Sequence, residues 1–237
     1  MQDTQDQEKL VYHLSELRKT FLKIIVCLII LFPLGYFSAP YVIDFITKWS
    51  FSYQNTQLSY FSPMEVFLVD LKVGFVLAFT IGFPYIVYQI WKFILPALYD
   101  KEKTFLRTAV FCSSFLFILG VIMCITFVLP LIIKFSMSFA TEQIKPVLGI
   151  SNFLGLSGWL MLAFGLMFQF PIAIYFLVMF DIISLESLKN KRPYVIVILL
   201  FVAAILTPPD IISQLLLFIP TYLLFELGIV FARLTKK

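Results

Sequence analysis

Six apolar stretches, at residues 21–37, 69–91, 108–133, 153–180, 194–206 and 213–231, leave this chain almost no way to fold in water. Of its 237 residues 61% are hydrophobic and 28 are phenylalanine, more than a soluble fold of this size hides. Lipid offers no partner to an unpaired backbone N–H or C=O. Each stretch must therefore close its own hydrogen bonds as a helix, and no ten-residue alternation suggests a barrel. The expected fold is all-α: a polytopic membrane protein with six transmembrane helices, the fifth and sixth short.

Charge orients the spans. With successive loops on alternate sides, the 18 Lys and Arg residues fall on the N-terminal side, except Lys48, Lys134, Lys145 and, near the outer end of the second span, Lys72. The positive-inside rule then predicts that both termini are cytoplasmic. The net charge of +4 is this same asymmetry, so no nucleic-acid partner is needed to explain it. One domain over residues 1–237 is expected, with a cytoplasmic amphipathic segment at 1–20 and a first outer loop at 40–65. Cytoplasmic loops are expected at 92–107 and 181–193. A polar run ahead of the first span and a poor cleavage site at 37–40 speak against a cleaved signal peptide. Cys27, Cys112 and Cys124 all lie within spans and suggest neither disulfide nor metal site. His13 is the single histidine, so a haem between paired histidines cannot be built, and no cofactor is expected.

Local patterns add detail. Leu10, Leu14, Leu17 and Phe21 recur at helical spacing, predicting a short amphipathic helix along the cytoplasmic surface. Tyr41, Phe45, Trp49, Tyr60 and Phe61 make the first outer loop aromatic, predicting a cap folded back on the headgroup zone. Ser62-Pro63-Met64-Glu65 reads as the start of the second helix, with Ser62 as N-cap and Glu65 at the third helical position. Pro130 and Pro171 mark bends in two overlong spans. The fifth span is about 20 Å long at 1.5 Å per residue, some 10 Å short of the hydrocarbon thickness. Thr207-Pro208-Pro209-Asp210 then turns the chain back.

Polar groups inside lipid are the sharpest functional clues. Gln169 lies mid-span, where it serves either function or a helix-to-helix hydrogen bond of ~1 kcal/mol. Glu226 lies near the cytoplasmic end of the sixth span, where it serves a site, snorkels outward or pairs with Arg233. A small transporter using these two residues would want paired broken helices or repeat symmetry, and neither is visible. An aspartyl protease needs two facing buried acids, yet Asp210 sits in a turn and Asp70 at a helix end. No Gly-x-x-x-x-Gly-Lys loop is present to cradle a nucleotide.

Several motifs, in order along nearly the whole chain, resemble the TatC family. These are His13-Leu14-Ser15-Glu16-Leu17-Arg18, Ser62-Pro63-Met64-Glu65, and the run from Phe93 through Pro96-Ala97-Leu98-Tyr99 to Glu102. Lys191-Arg192-Pro193-Tyr194 and Leu206-Thr207-Pro208-Pro209-Asp210 with Ser213-Gln214 complete the set. The resemblance implies a non-enzymatic receptor of the twin-arginine protein translocase, driven by the proton-motive force, in a bacterial plasma membrane or an organelle. It implies that Glu102 and Phe93 bind paired-arginine signal peptides of folded substrates, with Glu16, Leu17 and Arg18 completing that surface. Thr207, Asp210 and Gln214 would dock single-span partners of the TatA and TatB type, in a complex holding several copies of the chain. Carboxylates suit this task because a guanidinium presents forked donors. One departure stands out: many family members carry glutamate where this chain has Gln169, so a mechanism needing a titratable group there is in doubt.

Overall fold

The computed structural model describes residues 2–51, 58–94, 103–138, 147–206 and 211–235. Every apolar stretch is helical. The first helix, α1, runs unbroken from Gln2 to Ser50 with Pro33 and Pro40 inside it. The expected surface helix and the start of the expected outer loop are thus both parts of one rod. Its physical reason lies in the apolar spacing of Ala39, Val42, Ile43 and Ile46, which continues past Pro40. Ala39 and Ile46 are almost fully buried, and that burial outweighs the cost of a proline.

Helix α2, Pro63–Ile94, returns antiparallel to α1. The two backbones nearly touch: a Cβ on Gly35 would collide with the Gly74 carbonyl, and one on Gly74 would lie 2.9 Å from the Tyr36 Cα. Gly35 faces Gly74 and Ala78, with Ala39 buried one turn along α1, a small-residue crossing of the kind that holds helices together in lipid. Helix α3, Lys103–Met123, continues through a π-helical turn, Cys124–Val128, into α4, Leu129–Met137. Pro130 cannot donate to the Thr126 carbonyl, and the wide turn sits where that rung is missing. Helices α5, Ile150–Met167, and α6, Phe170–Met179, are separated by a break just before Pro171. Both proline bends read from the sequence are present.

A short α7, Leu185–Asn190, is capped by the Ser184 hydroxyl, which accepts from the Ser187 N–H at 3.1 Å. Helix α8, Arg192–Leu206, has 15 residues, whereas α9, Ile211–Thr235, has 25 and continues past Pro220. The fifth span is therefore short as expected, but the last is not: its helix continues beyond the apolar run into the basic tail. Among the described residues five segments are long and apolar enough to cross a membrane, and α8 is not one of them. The outside of the bundle is apolar too: Phe37, Phe111 and Phe201 are 74%, 72% and 67% exposed. Such a surface is stable only against lipid or protein.

Two-residue strands β1, Leu58–Ser59, and β2, Leu148–Gly149, pair in parallel at the end away from the N-terminus. They join the segment after α1 to the segment before α5. The main core centres on Phe117, Leu129, Leu154, Leu160 and Phe164. A second cluster joins Ile174 and Val178 to Leu188, Phe225 and Ile229.

Candidate functional site

The N-terminal turns of α1 and the last turn of α2 share one end of the bundle. Gly35 lies opposite Gly74, and Leu31 and Cys27 lie opposite Gly82. Continuing that antiparallel register brings Phe93 level with Glu16. The ammonium groups of Lys23 and Lys92 lie within electrostatic reach of the Glu16 carboxylate. Glu16 accepts from the Lys19 Nζ at 3.0 Å, with both side chains substantially exposed. An exposed pair of this kind is held only weakly. Leu17 and Arg18 are exposed beside it, and Phe93 is half-buried. Glu102 lies outside the described residues, as do Thr207 and Asp210.

Gln169 sits at the break between α5 and α6. Its amide nitrogen donates to the Ser113 carbonyl at 3.1 Å and to the Gly165 carbonyl at 3.3 Å. The Ser113 hydroxyl in turn accepts from the Trp91 indole N–H at 3.4 Å, and the Trp91 ring packs on Phe176 with centroids 3.9 Å apart. Side chains from α2, α3 and α6 thus meet around a buried serine. Gln169 acts here as a donor between helices. A Ser within an apolar helix and a Trp near a helix end were the signals for this junction.

Glu226 is half-buried and accepts from Arg192 Nη2 at 2.7 Å and from the Tyr222 hydroxyl at 2.9 Å. Arg233, one of the alternatives the sequence offers, is two turns farther along the same helix, about 10 Å along its axis. Arg192 instead reaches Glu226 from the first turn of the adjacent α8, which accounts for the arginine of the Lys-Arg-Pro-Tyr motif. At the other end of this hairpin, Gln214 donates to the Leu200 carbonyl at 2.9 Å, tying α9 to α8.

Glu65 closes the opposite end of the molecule. One carboxylate oxygen accepts from the Phe61 N–H at 2.9 Å, and the other accepts from the Ser151 N–H at 3.1 Å. Ser62 caps α2 as expected, its hydroxyl accepting from the Met64 N–H at 3.3 Å. The Ser-Pro-x-Glu motif thus starts one helix and fastens the first turn of another beside the β1–β2 pair.

A lipid-facing helical bundle with polar clusters at its ends defines a polytopic, all-helical membrane protein. Residues 12–220 match the family described as Sec-independent protein translocase protein (TatC). The chain is 38% identical to the TatC of Haemophilus influenzae, over 98% of this chain and 92% of that protein. It is 36% identical to the TatC of Escherichia coli, over 97% of this chain and 90% of that protein. A crystal structure of the twin-arginine translocase receptor TatC superimposes with a TM-score of 0.85 at 33% identity, covering 95% of this chain and 100% of that one. The chain belongs to the TatC family. It is a multi-pass component of the Sec-independent protein translocase, and its relatives are consistent with the bacterial inner membrane.

Proposed function

We propose that this chain is the signal-peptide receptor of a twin-arginine translocase, with six spans and both termini in the cytoplasm. The observation that carries the reading is the register of α1 and α2, which sets Phe93 level with Glu16, Leu17 and Arg18 on the basic end. Glu102 follows a few residues after Phe93 and supplies the second carboxylate. Two carboxylates accept forked hydrogen bonds from paired guanidinium groups, while Phe93 offers an aromatic face to the same cations. The chain catalyses no covalent chemistry in this scheme; the proton-motive force acts through the assembled complex.

The α8–α9 hairpin supplies the partner surface. A helix of 15 residues spans roughly 22 Å, less than the ~30 Å of hydrocarbon, so its ends meet thinned lipid or protein, and Thr207 and Asp210 follow its last residue in the sequence. Gln214 stands at that rim. Single-span proteins of the TatA or TatB type would cover the exposed ends and hydrogen-bond to it, in a complex holding several receptor copies.

The test is photocrosslinking from positions 93 and 102 to signal peptides carrying Arg-Arg or Lys-Lys. Strong labelling by the Arg-Arg peptide, lost in Glu102→Ala and nearly lost in Glu102→Gln, supports the reading, since charge-assisted bonds are roughly twice as strong as neutral ones. Equal labelling by both peptides removes it.

A further inference from the structure

The halves of α1 and α2 nearest the basic end enclose a groove of about 510 Å³ that opens to the outside of the bundle. Its walls are Val26, Cys27, Ile30 and Leu31 of α1 and Tyr85 of α2, with Lys23 among them. Among the described residues the lining comes from these two helices. Val26 and Ile30 are 53% and 69% exposed, so whatever occupies the groove must be apolar along its length.

The head of the groove is cationic. Lys23 lies one turn beyond Lys19 on α1, and the Lys92 ammonium stands 5.9 Å from the centre of the Tyr88 ring on α2. Glu16 is already bonded to Lys19, so one carboxylate faces three ammonium groups. Lys23, the charged residue of the groove lining itself, favours an anionic group. An apolar wall headed by lysine fits a molecule with a hydrocarbon tail and an anionic head. Basic pockets between transmembrane helices suit anionic lipid headgroups, and a lysine near a helix end snorkels to that level.

We propose that this groove is a binding site for an anionic phospholipid, one acyl chain lying between α1 and α2 and the phosphate resting on Lys23. The groove lies beside the signal-peptide surface, but its lining shares no residue with Glu16, Leu17, Arg18, Phe93 or Glu102, so either reading can fail alone.

The experiment uses the full chain in bilayers holding photoactivatable phosphatidylglycerol or phosphatidylcholine with identical acyl chains. Phosphatidylglycerol should attach to residues 26–31 and to Tyr85 at least about fivefold more than phosphatidylcholine. Lys23→Gln should reduce that labelling about fivefold, the factor corresponding to ~1 kcal/mol per basic residue near an anionic surface. Ile30→Trp, which fills the groove and keeps the charge, should reduce labelling by both lipids, so the site stays testable if the lysine variant folds poorly. Equal labelling by the two lipids, or unchanged labelling in both variants, would mean ordinary surrounding lipid and overturn the proposal. Displacement of the bound lipid by the apolar segment of a signal peptide, labelling the same residues, would assign the groove to the peptide and overturn it equally.

Discussion

The α1–α2 and α8–α9 pairs are both antiparallel hairpins, yet they are held by opposite means. Between α1 and α2 the contact is backbone against backbone, at Gly35 and Gly74, with Ala39 and Ala78 a turn away. Between α8 and α9 it is side chain against side chain or carbonyl, through Arg192 with Glu226 and Gln214 with Leu200. Lipid tails are as apolar as leucine, so burial of hydrocarbon does not by itself drive helices together there. A hairpin in lipid therefore needs close approach or polar bonds, and this chain uses one at each end of its sequence. The first solution tolerates no added volume. The second tolerates volume and depends on a few polar atoms.

The largest effect that could break this contrast is at Gly35. Gly35→Leu should separate α1 from α2 and cost ~3 kcal/mol or more, the upper range for overpacking. Thermal unfolding in detergent should show a large drop, while Gly155→Ala, where nothing lies within 4 Å of the added carbon, should be silent. A tolerant Gly35 would mean that α1 and α2 are held otherwise. Next comes Arg192→Ala, which leaves Glu226 without its cation. Because the two side chains are 42% and 27% exposed, the loss should be about 2 kcal/mol, below the range for a fully buried pair. A double-mutant cycle with Glu226→Gln should recover a coupling, and a coupling of zero would remove the clamp. Gln169→Leu should have the smallest effect, ~1 kcal/mol, as expected of one interhelical hydrogen-bonding group in a membrane. A loss as large as that at Gly35 would give the junction of α2, α3 and α6 a greater share of the fold than either hairpin.

Much of this architecture is readable from residue order, and the misses have a common cause. Local chemistry is legible: the caps at Ser62, the bends at Pro130 and Pro171, and the shortness of α8 all follow from a few adjacent residues. Contacts across the sequence are not. For Glu226 the sequence offers a site, an outward snorkel or the nearby Arg233, whereas the actual partner lies 34 positions away. Pro40 and the aromatics after it look like a loop, although Ala39, Val42, Ile43 and Ile46 carry a helical stripe through them. The small residues Gly35 and Ala39 on one span and Gly74 and Ala78 on the next were present to be found, since small residues four apart on two neighbouring spans announce a close crossing. For the candidate site, only the resemblance of their motifs singles out Glu16 and Phe93, and only the helix register sets them at one level.

The prolines of α1 are seven residues apart, and seven residues of an α-helix fall only ~20° short of two full turns. Pro33 and Pro40 cannot donate to the carbonyls of Ile29 and Tyr36, so both gaps in the hydrogen-bond ladder open toward nearly the same side. Two notches cut in line along a rod roughly 70 Å long make it a leaf spring: yielding in one plane, stiff across it, and able to carry a tilt from one end of the molecule to the other.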